Sequence, residues 1–102
     1  MPYATAVACL ENPVVEMLHQ NSARFYNKIA YDKGYNGLAT ADEEGDRLAE
    51  VLGNKLVLFM GNHGVLVAAS TIYEAFDSIY YIERACLYQV SIEHCLSTSL
   101  SV

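Results

Sequence analysis

Residues 56–67 read LVLFMGNHGVLV, and their pattern predicts the centre of a β-sheet. Leu56–Met60 is continuously apolar, which is typical of a strand buried on both faces. Gly61–Gly64 interrupts the apolar run, and Val65–Ala68 resumes it as a second strand. Because a short run of turn-type residues can close a hairpin but cannot form a crossover, we predict that the two strands pair in antiparallel fashion.

Signals for helices flank this hairpin on both sides. Thr40–Glu43 fits a capping box and begins a helix that ends at Gly53, a natural left-handed cap. Thr71–Glu74 fits a second capping box and begins a long helix that runs to about Leu96. Glu83 lies on the apolar stripe of that helix. The other positions of the stripe are Ile72, Ala75, Phe76, Ile79, Cys86, Leu87 and Val90.

The first third of the chain is less decisive. Pro2–Leu10 predicts a short helix with proline in its first turn, where the missing N–H is not needed. The apolar residues of Val14–Tyr26 have only loose helical spacing, so the secondary structure of this segment is ambiguous. Lys28–Asp32 could be a short strand. With 102 residues the chain forms one domain at most, and the mixture of elements predicts the α/β class.

Composition excludes several kinds of protein. The net charge of −6 argues against nucleic-acid binding, because there is no basic cluster to neutralise phosphates. No apolar run is long enough for a membrane span. An odd number of thiols suits a reducing compartment, which predicts a cytoplasmic protein. All three cysteines fall in apolar helical contexts, where buried, unreactive thiols are usual: Cys9, Cys86 and Cys95.

His63 is the histidine best placed for chemistry. A tight turn between two apolar strands holds the residue on a rigid base, and Gly64 leaves the approach to its ring uncrowded. Those conditions suit a metal ligand or a general acid or base. A structural or solvated turn histidine is the alternative, since His19 and His94 lack ligand spacing to it and no His-x-His motif occurs.

Two acidic features of the sequence are further candidate sites. The acidic run Asp42–Glu44 with Asp46 could bind a cation, but acids in the first turn of a helix more often complement its dipole. Glu83, on an apolar stripe, either pairs with a neighbour or has a raised pKa. An ion pair with Arg84 or Arg24, or a place at a subunit contact, is favoured over a catalytic role.

The combination of motifs resembles a known family. Met60–Val67, Thr71–Phe76 and Tyr81–Cys86 with Gln89 resemble the C-terminal part of the class II aldolase/adducin head domain. Pro2–Ala6 is similar to the stretch that follows the His-x-His metal motif of that family. Asn-His-Gly alone occurs in many unrelated turns, but the series of motifs together is specific to this family.

The resemblance implies an α/β domain with a mainly antiparallel sheet flanked by helices and a long C-terminal helix, usually assembled as a tetramer. It also implies metal-dependent cleavage or epimerisation of sugar phosphates, with a divalent metal, typically zinc, bound in the completed domain. His63 matches the third metal-binding histidine, while the other two would precede Met1. Residues 1–102 would then be a partial domain that lacks its N-terminal half and is inactive alone, with no catalytic residue of its own.

A non-catalytic, adducin-like scaffold for self-association or cytoskeletal contacts is the alternative. Tyr81–Cys86 and Tyr3–Thr5 favour the aldolase-like members of the family, and the retained His63 points the same way. A His-x-His motif upstream of Met1 would favour the enzyme class.

Overall fold

The computed structural model describes residues 1–32 and 41–100, with the backbone alone for residues 41–42 and 96–100. In chain order the elements are α1 (Pro2–Ala8), α2 (Gln20–Ala23), β1 (Ile29–Asp32), α3 (Ala41–Leu52), β2 (Val57–Met60), β3 (Gly64–Val67) and α4 (Ile72–Leu100). Within the described ranges, no helix combines the length and hydrophobicity required to cross a bilayer. The α/β class and the long C-terminal helix are confirmed.

The three strands form one mixed sheet in the order β1-β2-β3. β2 and β3 pair in antiparallel fashion, with Val57 opposite Val67, so the predicted hairpin is confirmed. β1 pairs with β2 in parallel, with Asp32 opposite Met60. A parallel pair needs a crossover connection, and α3 lies in the segment that makes it. The strand suggested by Lys28–Asp32 is therefore present and completes the sheet.

The two faces of β2 are both covered, which explains its continuous apolar sequence. Val57 and Phe59 belong to the main core, together with buried residues of α1 and α4. Leu58, also fully buried, lies on the side of α3 with Leu48 and Leu52. A strand between two helical layers has no solvent-facing side, so its residues do not alternate between polar and apolar.

The predicted capping box of α4 is present in altered form. The Thr71 hydroxyl accepts a hydrogen bond from the Glu74 amide at 3.1 Å. The Glu74 carboxylate accepts at 3.3 Å from the amide of Ser70, one residue earlier than a standard box would place it. The helix also continues to Leu100, beyond the end predicted near Leu96.

The predicted ends of the other helices agree with the structure to different degrees. Gly53 ends α3 in the left-handed region with φ +55°, as predicted. The capping box at Thr40–Glu43 falls partly outside the described residues. In the ambiguous Val14–Tyr26 segment, only the single turn α2 is helical.

The buried face of α4 differs from the predicted stripe. Three residues of the apolar stripe are not buried: Ile72, Phe76 and Ile79 are 78%, 72% and 38% exposed. Residue spacing defines an apolar stripe but does not say whether this domain or another surface covers it. The buried residues of the helix are Ser78, Ile82, Ala85, Cys86 and Gln89.

The cysteines do not share one environment, which corrects the sequence-based prediction. Cys86 is buried, but Cys9 and Cys95 are exposed. Burial raises the pKa of the Cys86 thiol to about 12, so its thiolate is scarce at neutral pH. Cys9 lies at the C-terminal end of α1 and is exposed.

We therefore expect Cys86 to resist thiol reagents in the folded chain. At about pH 8, Cys9 and Cys95 should react rapidly with Ellman's reagent, and Cys86 should react only after denaturant unfolds the protein. Quantifying released thiolate with and without guanidinium checks this. Rapid reaction of all the thiols in the native chain would contradict it, and a Cys86→Ala variant identifies the slow group.

Candidate functional site

The turn that carries His63 is fixed by its backbone. It joins β2 to β3 and touches three different elements, so its position does not depend on the hairpin alone. The hydrogen bonds run from the Gly61 amide to the Asp32 carbonyl (2.8 Å), from the Asn62 amide to the Ala8 carbonyl (2.9 Å) and from the His63 amide to the Met60 carbonyl (3.0 Å). β1, α1 and β2 thereby hold the turn.

Local conformation leaves the His63 ring accessible. Asn62 adopts φ +59°, a left-handed conformation that asparagine tolerates better than most residues. His63 itself is exposed. A Cβ added at Gly64 would meet no atom within 4 Å, so the space beside the turn is open.

A cluster of charged side chains lies at the same end of the sheet. Arg47 of α3 binds the Asp32 carboxylate with both terminal nitrogens, at 3.0 and 2.7 Å. The same guanidinium binds Glu44 through Nε at 3.1 Å and through Nη2 at 2.6 Å. The Asp32 side chain is only 8% exposed, so this pair is largely removed from water. We call Asp32, Glu44 and Arg47 the arginine clamp.

The clamp lies at the end of the sheet where the His63 turn begins, because Asp32 is opposite Met60 in the parallel pair. The hydrogen bonds from Arg47 hold the pKa of Glu44 below its ordinary value, and the charge of His63 adds a smaller lowering effect. Glu44 and Asp32 in turn raise the pKa of Arg47. Sequence reasoning missed this cluster. No motif marks it, because the crossover from β1 through α3 brings its members together.

The described residues do not complete a metal site by themselves. Within the described ranges, no group of three histidine, cysteine, aspartate or glutamate residues is positioned to hold an ion. His19 instead caps α2, where its Nδ1 accepts from the Asn21 amide at 3.1 Å. Among the described side chains of the acidic run, Glu43, Glu44 and Asp46 form no such group either. His63 thus suits a metal as one imidazole ligand, but a catalytic zinc site needs at least two more protein ligands.

Glu83 has a structural role that differs from the predicted ion pair. Its carboxylate accepts hydrogen bonds from the amides of Tyr3 at 3.0 Å and Ala4 at 2.8 Å. A negative charge at the start of a helix satisfies unpaired amides and complements the dipole. The side chains of Arg24 and Arg84 bond other partners. The prediction of an ion pair with either arginine was wrong, because spacing alone did not reveal the start of α1 as the closer partner.

Comparisons with known proteins find similar sequences and a similar solved structure. The profile of the class II aldolase and adducin N-terminal domain matches residues 1–90. A Caulobacter vibrioides protein assigned to aldolase class 2 is 37% identical over 73 residues, covering 72% of this chain and 28% of the relative. An adducin-related protein of Schizosaccharomyces pombe is 30% identical over 82 residues, covering 78% of this chain and 24% of the relative.

A solved structure shares the fold. The crystal structure of an aldolase II superfamily protein from Pseudomonas syringae superimposes with a TM-score of 0.82 and 28% identity, covering 93% of this chain and 38% of that chain. The chain thus spans about a quarter of the length of these two curated relatives.

Proposed function

The chain belongs to the class II aldolase and adducin N-terminal domain family, and from this membership we propose that it supplies one metal ligand, His63, to a lyase-type domain. The substrates of that domain would be sugar phosphates or similar hydroxy-carbonyl compounds. One observation carries the proposal: the His63 turn is held by β1, α1 and β2 while its ring side stays exposed. Rigid backbone support with open access is what a metal ligand requires.

In this proposal the chain holds the His63 imidazole in position and forms the surface beside it. A bound divalent ion, zinc in this proposal, would supply polarisation of a substrate carbonyl oxygen. Around that position, the arginine clamp fixes α3 against the end of β1. Residues 1–102 form a partial domain in this proposal, since the remaining ligands and the acid/base carboxylate would come from a segment preceding Met1. The chain alone would then be inactive, and its site would work in the cytoplasm.

We expect the 102-residue chain alone to bind zinc weakly. A lone imidazole cannot close the tetrahedral shell that zinc prefers. Isothermal titration with zinc should show no stoichiometric site of submicromolar affinity. A tight site that His63→Ala abolishes would contradict the partial-domain part of this proposal, because the chain would then hold enough ligands already.

The lyase assignment is tested on a chain extended at its amino end by a family segment with the His-x-His motif. Zinc-loaded extended chain should cleave at least one member of a sugar-phosphate panel, while the 102-residue chain should cleave none. A folded, metal-loaded extended chain that is inactive on the whole panel would count against the lyase assignment.

A non-catalytic scaffold is the second candidate. It is supported by the adducin-related relative and by the exposed apolar side chains at the start of α4. Surfaces of this kind mark sites of protein–protein contact. An extended chain that folds, takes up no metal and lacks lyase activity would favour this candidate.

A further inference from the structure

The turn that carries His63 is anchored to the last residue of a short strand. The Asp32 carbonyl accepts the Gly61 amide at 2.8 Å, and Asp32 also ends the pairing of β1 with β2, opposite Met60. β1 has only four residues and lies at one edge of the sheet that the structure describes. Because the ends of short edge strands open more easily than strand centres, this anchor would be weak without contacts from outside the sheet.

The arginine clamp provides such a contact to the side chain of the same residue. Arg47 binds both oxygens of the Asp32 carboxylate, at 3.0 and 2.7 Å. A bidentate pair fixes orientation as well as distance, because two parallel hydrogen bonds leave the two planar groups little freedom to rotate. The Asp32 side chain is only 8% exposed, so water competes poorly for it. Asp32 is thus bonded through its side chain to α3 and through its carbonyl to the turn.

Glu44 holds the guanidinium of Arg47 in the orientation that this contact requires. The two residues lie one turn apart on α3, a helix of 12 residues, where side chains at this spacing are neighbours. The Glu44 carboxylate accepts from Nε of Arg47 at 3.1 Å and from Nη2 at 2.6 Å. A continuous series of hydrogen bonds therefore runs from α3 through Arg47 and Asp32 to Gly61, two residues before His63.

We propose that Arg47 is a positioning residue for the His63 imidazole, acting through Asp32 and the backbone of the turn. Arg47 holds the end of β1 in place, and the carbonyl at that end fixes the turn from which the ring extends. A ligand on a rigid base loses less freedom when an ion binds, so a looser turn should bind the ion less tightly. This inference rests on the proposed function, because it takes His63 to be a metal ligand.

Amide hydrogen exchange of the 102-residue chain, followed by NMR, tests the hold on the turn without any metal. In Arg47→Gln the Gly61 amide should exchange about 10-fold faster, because the carbonyl that accepts it is no longer fixed. The Ala68 amide donates to the Leu56 carbonyl at 2.9 Å, at the opposite end of the sheet, and its exchange should not change. Unchanged exchange at Gly61, or equal acceleration of both amides, would overturn the inference, since general destabilisation affects both alike.

Zinc affinity of the extended chain, measured by competition with a chelator, tests the effect on the ligand. Arg47→Gln should lower this affinity by about 10-fold, the low end of the range for groups that support a metal ligand. Arg24→Gln is the matched control, since Arg24 also binds an aspartate at 2.7 Å, Asp77 of α4, and should leave the affinity unchanged. If His63→Ala lowers the affinity but Arg47→Gln does not, the inference is rejected while the proposed function stands. If His63→Ala has no effect, both are rejected.

A double variant tests whether Arg47 acts through Asp32. Because both substitutions interrupt the same series of bonds, Asp32→Asn combined with Arg47→Gln should lose no more zinc affinity than Arg47→Gln alone. Additive losses would mean that the two residues affect His63 separately, which contradicts the inference. Circular dichroism verifies folding. If Arg47→Gln does not fold, the double variant replaces it in both experiments with the same expected changes, because it leaves no nearly buried carboxylate without its cation.

Discussion

Replacing His63 with alanine in the extended chain should lower zinc affinity by about two orders of magnitude or more. Mutating a residue that only hydrogen-bonds to a metal ligand typically lowers metal affinity by roughly 10- to 100-fold. Removing a ligand itself should lower the affinity at least as much. Lyase activity should fall with metal content. Thermal stability of the metal-free chain should change little, by about 0.5 kcal/mol or less, because His63 is an exposed turn residue.

Metal content, activity and melting temperature measured on the same preparations separate a ligand from a turn residue. His94→Ala is the control, since it removes another exposed histidine, on α4, and should leave metal content unchanged. A folded His63→Ala variant with undiminished metal content would remove the ligand assignment and favour the scaffold.

The arginine clamp should make a large contribution to the stability of the 102-residue chain. Asp32→Asn should destabilise the fold by about 2 kcal/mol, because it removes the charge from two hydrogen bonds between Arg47 and a nearly buried carboxylate, while Glu44 still binds the guanidinium. Asp77→Asn is a matched control. Asp77 also binds an arginine at 2.7 Å, but its side chain is 54% exposed, so water screens the pair. We expect a cost of about 1 kcal/mol or less for that change.

Urea unfolding of the two variants checks this difference, because the midpoint and slope of each unfolding curve give the free energy of unfolding. A similar loss in both variants would mean that burial of the Asp32 carboxylate does not set the strength of the pair. Since Asp32 also accepts the Gly61 amide through its backbone carbonyl, which the substitution keeps, the measured loss reports on the side chain alone.

Local sequence was sufficient for the parts of the fold that local interactions determine. The apolar run before Gly61 predicted β2, and the short turn predicted its antiparallel pairing with β3. The hydroxyl of Thr71 and the left-handed Gly53 marked helix ends for reasons of hydrogen bonding and backbone conformation. His63 was recognised as a candidate because it lies in a glycine-flanked turn between two apolar strands.

Contacts between distant parts of the chain could not be predicted in the same way. The pairing of Asp32 with Arg47 depends on how the crossover places α3 beside β1. The partner of Glu83 depends on where α1 docks, and the sequence offered two nearby arginines instead. On α4, spacing identified an apolar stripe at Phe76 but could not distinguish burial within the domain from exposure.

The contact between Glu83 and α1 also has a consequence for the order of folding. The carboxylate lies 80 residues after Tyr3 and 79 after Ala4 in the chain. On the ribosome, α1 is synthesised long before the residue that satisfies its first amides, and a helix of 7 residues has little stability by itself. The packing of α1 against α4 must therefore wait until α4 has been synthesised, which makes this contact a late step in folding.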